Sequence, residues 1–204
     1  MKATIRWLIL MLAMALALSF CTKSPSKDEL NKALLKAAHD GTAKETEELL
    51  GKGADIDAKN EYGSDSFKIA RVNSNIPVVE LYLQRGKVPS DEDMMSAAAN
   101  GRKELLKLLL RYAKPSGIVL MSATKDTEIF MLLVNHGADI FARDDYDRTV
   151  LHWAALRGTG EVVKFLCQKG LDPYAKDKGG NTPVSNAEGK GRVDIVGLLK
   201  QCRK

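Results

Sequence analysis

Residues 149–173 place three potentially reactive side chains in one short stretch: His152, Trp153 and Cys167. An imidazole titrates near neutral pH and can act as a base or a metal ligand. A thiolate can act as a nucleophile, but it needs an activating base, and the sequence places none beside Cys167. The stretch therefore raises two hypotheses: a reactive site, or a scaffold in which these residues only pack.

Other residues that could bind a metal or catalyse a reaction are scattered. The chain has three histidines, and they do not have metal-ligand spacing: His39, His136 and His152. The acidic cluster Asp144, Asp145 and Asp147 lacks the spaced ligands and the terminal glutamate of a calcium loop. The sequence also lacks a glycine-rich phosphate loop, a nucleophile elbow and paired CxxC motifs. We therefore expect no catalytic residues, no metal site and no cofactor.

Length and charge narrow the class of protein further. The chain has 204 residues, which is enough for one folded unit with a substantial core. Lys2 and Arg6 lie in residues 1–20, which contain no acid; without them the 31 lysines and arginines fall to 29, against 26 acids. That balance argues against nucleic-acid binding.

The first twenty residues have the layout of a secretory signal peptide. Lys2 and Arg6 precede an unbroken apolar run from Trp7 to Leu18. The run is shorter than the roughly 20 residues that span a bilayer, and polar residues follow at once, so a permanent transmembrane anchor is the weaker interpretation. We predict a signal peptide over residues 1–20 and export of the chain.

The end of this segment, Leu18-Ser19-Phe20-Cys21, resembles the lipobox of bacterial lipoproteins. The resemblance implies that Cys21 is lipidated and becomes the new N-terminus, followed by a polar spacer over residues 21–27. The protein would then be a membrane-anchored lipoprotein that faces the periplasm or the cell exterior. Phe20 departs from the Gly, Ala or Ser that is usual before the cysteine. The alternative is ordinary cleavage after Ala17, which predicts a soluble periplasmic or secreted protein.

The rest of the chain repeats itself every 33 residues. The matching pairs are Gly53 and Gly86, Ala37 and Ala70, Gly137 and Gly170, Asp139 and Asp172, and Thr149 and Thr182. At this period, residues 28–202 resemble the ankyrin repeat. Its T-P-L-H-x-A signature appears as Thr149-Val150-Leu151-His152-Trp153-Ala154, and less completely as Thr182-Pro183-Val184-Ser185-Asn186-Ala187.

The resemblance implies an all-α ankyrin-repeat solenoid of about six helix-turn-helix units. We place them near 28–58, 59–88, 89–114, 115–143, 144–176 and 177–202, with the third and fourth shortened. In the fifth unit we expect helices near 150–156 and 161–168, separated by Gly158 and Gly160 and ended by Gly170. Full hairpin tips are expected after units one, four and five. Polar Glu45 and Glu48 suggest a capping first repeat, so that the array is complete.

The family signature also assigns structural roles. It implies that Thr149 and His152 bond to each other and to the backbone, and Thr182 occupies the threonine position in the last unit. Cys167 lies where leucine is usual, and Cys202 lies two residues beyond Lys200, which is the register partner of Cys167. From this mismatch we predict that the two thiols are not bonded to each other.

Ankyrin arrays bind other proteins through the hairpin tips and the exposed side of the first helices. The candidate partner-binding residues here are Tyr62, Arg143, Asp145, Tyr146, Trp153, Leu156, Arg157 and Lys176. The best patch is Arg143, Tyr146, Trp153 and Arg157, because aromatic residues and arginine are common binding hot spots. Alternatively, Trp153 is half-buried and the tyrosines brace their loops.

Together these features predict a monomeric, non-catalytic protein-binding module outside the cytoplasm, whose partner is another protein. One alternative is an inhibitor or immunity-type protein that neutralises a partner enzyme in the periplasm. Another is an enzyme with a site assembled across repeats, which would need converging titratable groups.

Overall fold

The computed structural model describes residues 24–202, so the predicted signal peptide and the lipid acceptor Cys21 lie outside the described residues. Within that range we number the helices α1 to α12 in chain order. They are α1 Lys27–Asp40, α2 Ala43–Gly51, α3 Ser66–Val72, α4 Ile76–Gln84, α5 Asp91–Ala99, α6 Lys103–Leu110, α7 Gly117–Ser122, α8 Thr127–Asn135, α9 Val150–Arg157, α10 Gly160–Gln168, α11 Pro183–Gly189 and α12 Val193–Lys200. None of these helices is long and apolar enough to cross a membrane.

The helices stack in two layers. First helices contact first helices (α1 with α3, α5 with α7, α7 with α9, α9 with α11), and second helices contact second helices (α2 with α4, α4 with α6, α8 with α10, α10 with α12). Buried aliphatic side chains such as Val78, Leu106, Leu133 and Leu166 form one core that runs through this stack. A smaller cluster of Leu30, Leu34 and Ala54 lies within the first repeat, and Leu50 packs against both clusters. Stacking of neighbouring repeats thus completes the core, as expected for a solenoid. The predicted all-helical architecture of six units is confirmed.

The helix ends follow the chemistry that the sequence predicts. Thr149 begins α9 as an N-cap, and its side chain accepts a hydrogen bond from the backbone N–H of His152. Gly53, Gly86, Gly137 and Gly170 follow second helices with φ between 80° and 99°, a region in which a Cβ atom would be strained. The expected stop at Gly170 is therefore confirmed.

Side chains of several repeats also cap the first helix of the repeat before them. Asn75 Nδ2 donates to Gly41 O at 2.9 Å, next to the end of α1. Arg192 Nη1 donates to Ala154 O and Ala155 O, both at 3.1 Å, at the end of α9. The last carbonyls of a helix have no partner within the helix, so these bonds satisfy them and fix neighbouring repeats in register.

Long hairpin tips occur where they were predicted. Isolated β-bridges join Lys59 to Asp65 and Arg143 to Thr149, after the first and fourth units. After the fifth unit, the Asp177 N–H closes a similar tip by donating to Asn181 O at 2.9 Å. The connections at 85–90 and 111–116 are shorter, so the middle units are clipped as expected.

The predicted absence of a bond between the cysteines is wrong. Cys167 and Cys202 form a disulfide with a Cα–Cα distance of 5.3 Å, which lies within the usual range. The prediction placed Cys202 by counting residues from Lys200 along the repeat, which assumes that α12 continues past Lys200. Instead the helix ends there, and the N–H of Cys202 donates to Leu199 O in a tight turn. This turn brings Cys202 back beside α10.

Candidate protein-binding surface

The three long tips are built on the same side-chain device. One side-chain oxygen of Asn60, Asp144 or Asp177 accepts hydrogen bonds from the backbone N–H groups two and four residues later, at 2.8–3.0 Å. Asn and Asp favour such turns because their short side chains reach their own backbone. Asp144 is thus part of a turn, and among residues 24–202 no group of three or more His, Cys, Asp or Glu side chains is placed to hold a metal ion.

Trp153 lies in an interlocked group that we call the Trp153 cluster: Asp144, Arg148, Trp153 and Arg157. The guanidinium carbons of Arg148 and Arg157 lie 4.2 and 4.5 Å from the centre of the indole ring. The indole N–H donates to Asp144 Oδ2 at 3.0 Å, and Arg148 pairs with the same carboxylate at 2.8 Å. Cation–π contacts and charge-assisted hydrogen bonds therefore hold the four side chains together.

The charge of Asp144 is compensated within this cluster, whereas that of Arg157 is not. Burial favours a higher pKa for Asp144, but hydrogen bonds from Arg148, Trp153 and Tyr146 outweigh it and lower the pKa of the carboxyl. Burial lowers the pKa of the Arg157 guanidinium, and the nearby Arg148 adds to the effect. Arg157 Nη2 donates to Met121 O at 3.1 Å, so it also ties the fifth repeat to the fourth.

The tip beside the cluster holds three of the predicted binding residues. Arg143 pairs with Asp147 at 3.3 Å. The carbonyl of Asp145 accepts a hydrogen bond from Lys178 Nζ at 2.8 Å, which joins this tip to the next. Tyr146 stays 65% exposed, with the Arg148 guanidinium 4.9 Å from its ring centre.

Two further members of the predicted set lie outside both the cluster and this tip. Leu156 is half-buried on α9, and Lys176 is exposed before the third long tip. The structure therefore joins Trp153 directly to Arg157 and leaves Arg143 on the tip beside them. Sequence reasoning missed Arg148, although a base four residues after Asp144 at a turn is a signal for such a pair.

His152 is completely buried, and both of its ring nitrogens have partners. Nδ1 accepts the Thr149 N–H at 3.0 Å, so the proton lies on Nε2, which donates to Asn181 O at 3.2 Å. Burial lowers the pKa of the imidazole, although the bond to Asn181 acts in the opposite direction. The ring thus joins α9 to the following tip. Thr182 plays a related part in the last repeat, where its Oγ1 accepts the Ser185 N–H at 3.1 Å.

Away from the Trp153 cluster, a groove lies between α1, α3 and the tip at 60–64. We call it the first groove, because it lies on the first two repeats. It encloses about 340 Å³. Leu35, Ile69 and Val72 supply its apolar surface, and Tyr62 and Lys68 stand at its sides. None of the described residues that line it carries a carboxylate. Tyr62 was expected from the sequence to face a partner, and the structure leaves it 83% exposed.

The first groove continues in both directions along the first helices. It shares Leu35 and Asn60 with a cavity of about 530 Å³ on the side of the first repeat. It shares Lys68 and Val72 with a smaller cavity that reaches the third repeat. The open surface therefore crosses the first three repeats.

A family model of ankyrin repeats, built as three copies, matches residues 94–177 and 120–203. These two overlapping matches cover more than half of the chain. The chain belongs to the ankyrin-repeat family. Ankyrin arrays are interaction scaffolds that bind other proteins along the surface of the stack.

Relatives of this ankyrin chain are parts of larger and different proteins. It is 29% identical over 204 residues to the human mitochondrial disaggregase, a match that covers 93% of the chain and 28% of that protein. It is 36% identical over 73 residues to the 26S proteasome non-ATPase regulatory subunit 10 of Dictyostelium discoideum, covering 35% of the chain and 32% of that protein. The chain thus spans about a third or less of the curated relatives it matches.

Solved structures with the same fold match over nearly their whole length. An ankyrin repeat domain from Acinetobacter baumannii has a TM-score of 0.67 at 23% identity, covering 82% of this chain and 95% of that one. A chain in the complex of a predatory endopeptidase from Bdellovibrio bacteriovorus with an immunity protein has a TM-score of 0.69 at 21% identity, covering 84% and 98%. At these identities the likeness concerns the fold.

Proposed function

We propose that this ankyrin array is a protein-binding module that works outside the cytoplasm, tethered to a membrane by a lipid on Cys21. The observation that supports binding is the first groove, an open apolar surface beside an exposed tyrosine. The side chains that suggested chemistry support the same view, because His152 and Trp153 are engaged within the fold. The residues that remain available to a ligand combine apolar area with an exposed tyrosine, and protein interfaces have the same composition.

The disulfide supports the proposed location. Disulfides persist in oxidising compartments and are rare in the cytosol. Cys167 and Cys202 are bonded to each other in the folded chain. The basic start and apolar run of residues 1–18 fit the same destination, because exported proteins carry such a segment. Both features support the proposed location in the periplasm or at the cell exterior.

The spacing between Cys21 and the array fits a membrane tether. Helix α1 begins at Lys27, so residues 21–26 separate the proposed lipid from the first helix. Six residues span at most about 20 Å. The array would then work close to the membrane, with its partner on or near the same surface.

Expression of the full chain in a bacterial host tests the tether. The unchanged chain should sediment with membranes and show the mass of an N-terminal acyl addition, whereas Cys21→Ala should appear in the soluble extracytoplasmic fraction. Ser24→Ala, in the spacer, is the matched control and should keep the lipid mass. An unlipidated N-terminus at Leu18 would instead demonstrate ordinary cleavage and simple secretion.

A second candidate is an inhibitor or immunity-type protein that neutralises a partner enzyme. One structure with this fold contains an endopeptidase in complex with an immunity protein. This function predicts that the chain co-purifies with an enzyme that is inactive in the complex and regains activity on dissociation. A partner enzyme that stays fully active while bound would exclude the inhibitor function, and the scaffold function would be the one that remains.

A further inference from the structure

The geometry points to a definite kind of ligand for the first groove: we propose that it binds an extended segment of the partner protein in which an acidic side chain lies next to an aliphatic one. This inference rests on the proposed protein-binding function and names the surface and the partner's chemistry. Three features of the groove support it: its apolar surface, the presentation of Tyr62 and the charge of Lys68.

The apolar surface favours an aliphatic side chain. Ile69 and Val72 are three residues apart on α3, so they lie on one face of that helix, opposite Leu35 of α1. Val72 is 53% exposed, which leaves apolar area that a ligand would cover. A volume of about 340 Å³ is near the lower limit of ordinary ligand pockets, so it fits one or two side chains.

Tyr62 is presented to a ligand by a fixed backbone. Asn60 Oδ1 accepts the Tyr62 N–H at 3.0 Å, and Gly63 completes the turn with a φ of 71°. The tip is held while the ring stays exposed, so binding would order few additional groups. Tyrosine offers a large contact area at a small cost in conformational entropy, which is why it is frequent in binding surfaces.

The charge of the groove favours an acid. Two of the nearby cations are engaged: Lys32 pairs with Asp28 at 2.7 Å, and Arg71 pairs with Asp93. Lys68 is exposed on α3, and within residues 24–202 no carboxylate lies within salt-bridge distance of its amino group. The residues that line the first groove carry no acid, and three of the five acids that line the adjoining cavities, Asp28, Asp55 and Asp93, are paired with bases of this chain. The other two, Glu61 and Glu92, are not among the residues that line the groove, so a carboxylate of the partner would complement Lys68 within it.

Selection from displayed random dodecapeptides on the full-length protein tests this proposal. Enriched peptides should carry Asp or Glu within three residues of Leu, Ile, Val or Met. Fluorescence anisotropy should show that Lys68→Glu raises their Kd at least tenfold. The matched control is Lys44→Glu, an exposed lysine of α2 in the second-helix layer, which should change Kd less than twofold. Circular dichroism should show that both variants remain folded.

The other outcomes separate this proposal from the general function. Enriched peptides that are basic or uncharged, or that bind Lys68→Glu as tightly as the parent, would overturn the assignment of the groove while leaving a protein-binding module. Failure to enrich any peptide would overturn the assignment of the groove, whereas the proposed function is contradicted only if no partner protein co-purifies with the chain.

Discussion

The first groove and the Trp153 cluster occupy equivalent positions on two repeats of the same array. Asn60 and Tyr62 correspond to Asp144 and Tyr146, and both tips have the same turn. Where the later repeat has Arg148, Trp153 and Arg157, the earlier one has Ser64, Ile69 and Asn73. The large side chains fill the surface in one repeat, and the smaller ones leave a groove in the other.

This difference shows that residue type alone does not identify a binding surface. Tryptophan and arginine are the strongest hot-spot residues, and for that reason the sequence favoured the patch around Trp153. In the folded chain the indole of Trp153 is already engaged by Asp144, Arg148 and Arg157. The earlier repeat has no tryptophan or arginine at these positions, but its apolar area and the charge of Lys68 are still available to a partner.

The largest effect of a substitution on the free energy of unfolding is expected at the C-terminal end, where the Cys167–Cys202 disulfide holds the last repeat. Cys202→Ala should lower the free energy of unfolding by about 3 to 4 kcal/mol, because a disulfide that closes a loop of this length restricts the unfolded chain by that amount. Urea unfolding with and without reductant measures it. Equal stability in both conditions, or two free thiols in non-reducing peptide mapping, would contradict the bond.

The sequence predicts repeating local features well and contacts outside the repeat poorly. The 33-residue period and the glycines gave the number of units, because each glycine occupies a left-handed position that recurs with the fold. The partner of Cys202 depends on a turn beyond the last helix, which register counting cannot describe. The first groove depends on small residues at Ser64 and Asn73, and small residues give no signal by themselves.

The second largest effect on stability is expected at His152. The residue at the same position of the earlier repeat is Lys68, which is exposed. His152→Ala should lower stability by about 1 to 3 kcal/mol, because buried hydrogen-bond partners lose their bonds. Lys68→Ala should change it by less than about 0.5 kcal/mol, as is usual at exposed sites. Urea unfolding at neutral pH compares the two, and equal losses would contradict the buried role.

The same histidine predicts a pH dependence. Burial holds its folded pKa below the ordinary 6.5, so below that pH the unfolded chain binds a proton more readily than the folded chain. Its contribution to stability is therefore complete above pH 6.5 and is lost as the pH falls towards the folded pKa. His152→Ala should lose less stability than the parent between pH 7.5 and 5. An identical loss in both proteins would assign the effect to other groups.

The third effect tests whether Trp153 is scaffold. Trp153→Ala should lower stability by about 2 kcal/mol, since it removes a hydrogen bond to a carboxylate and two cation–π contacts. Trp153→Phe keeps a ring between the arginines but has no N–H for Asp144, so we expect roughly half the loss. Thermal and urea unfolding measure both variants. Unchanged stability together with lost partner binding would make Trp153 part of the interface.

The smallest effect on stability, and the sharpest test of the comparison, is expected at the two tyrosines. Tyr62→Ala should change the free energy of unfolding by less than about 0.5 kcal/mol, because the ring is exposed and the turn is held by Asn60 through the backbone. It should nevertheless raise the Kd for a selected acidic peptide about tenfold. Tyr146→Ala is the matched control, because it removes a tyrosine from an equivalent turn that lies beside the filled cluster. It should leave that Kd within twofold of the parent. If Tyr146→Ala weakens binding more than Tyr62→Ala, the partner contacts the later repeat, and the filled cluster is the working surface.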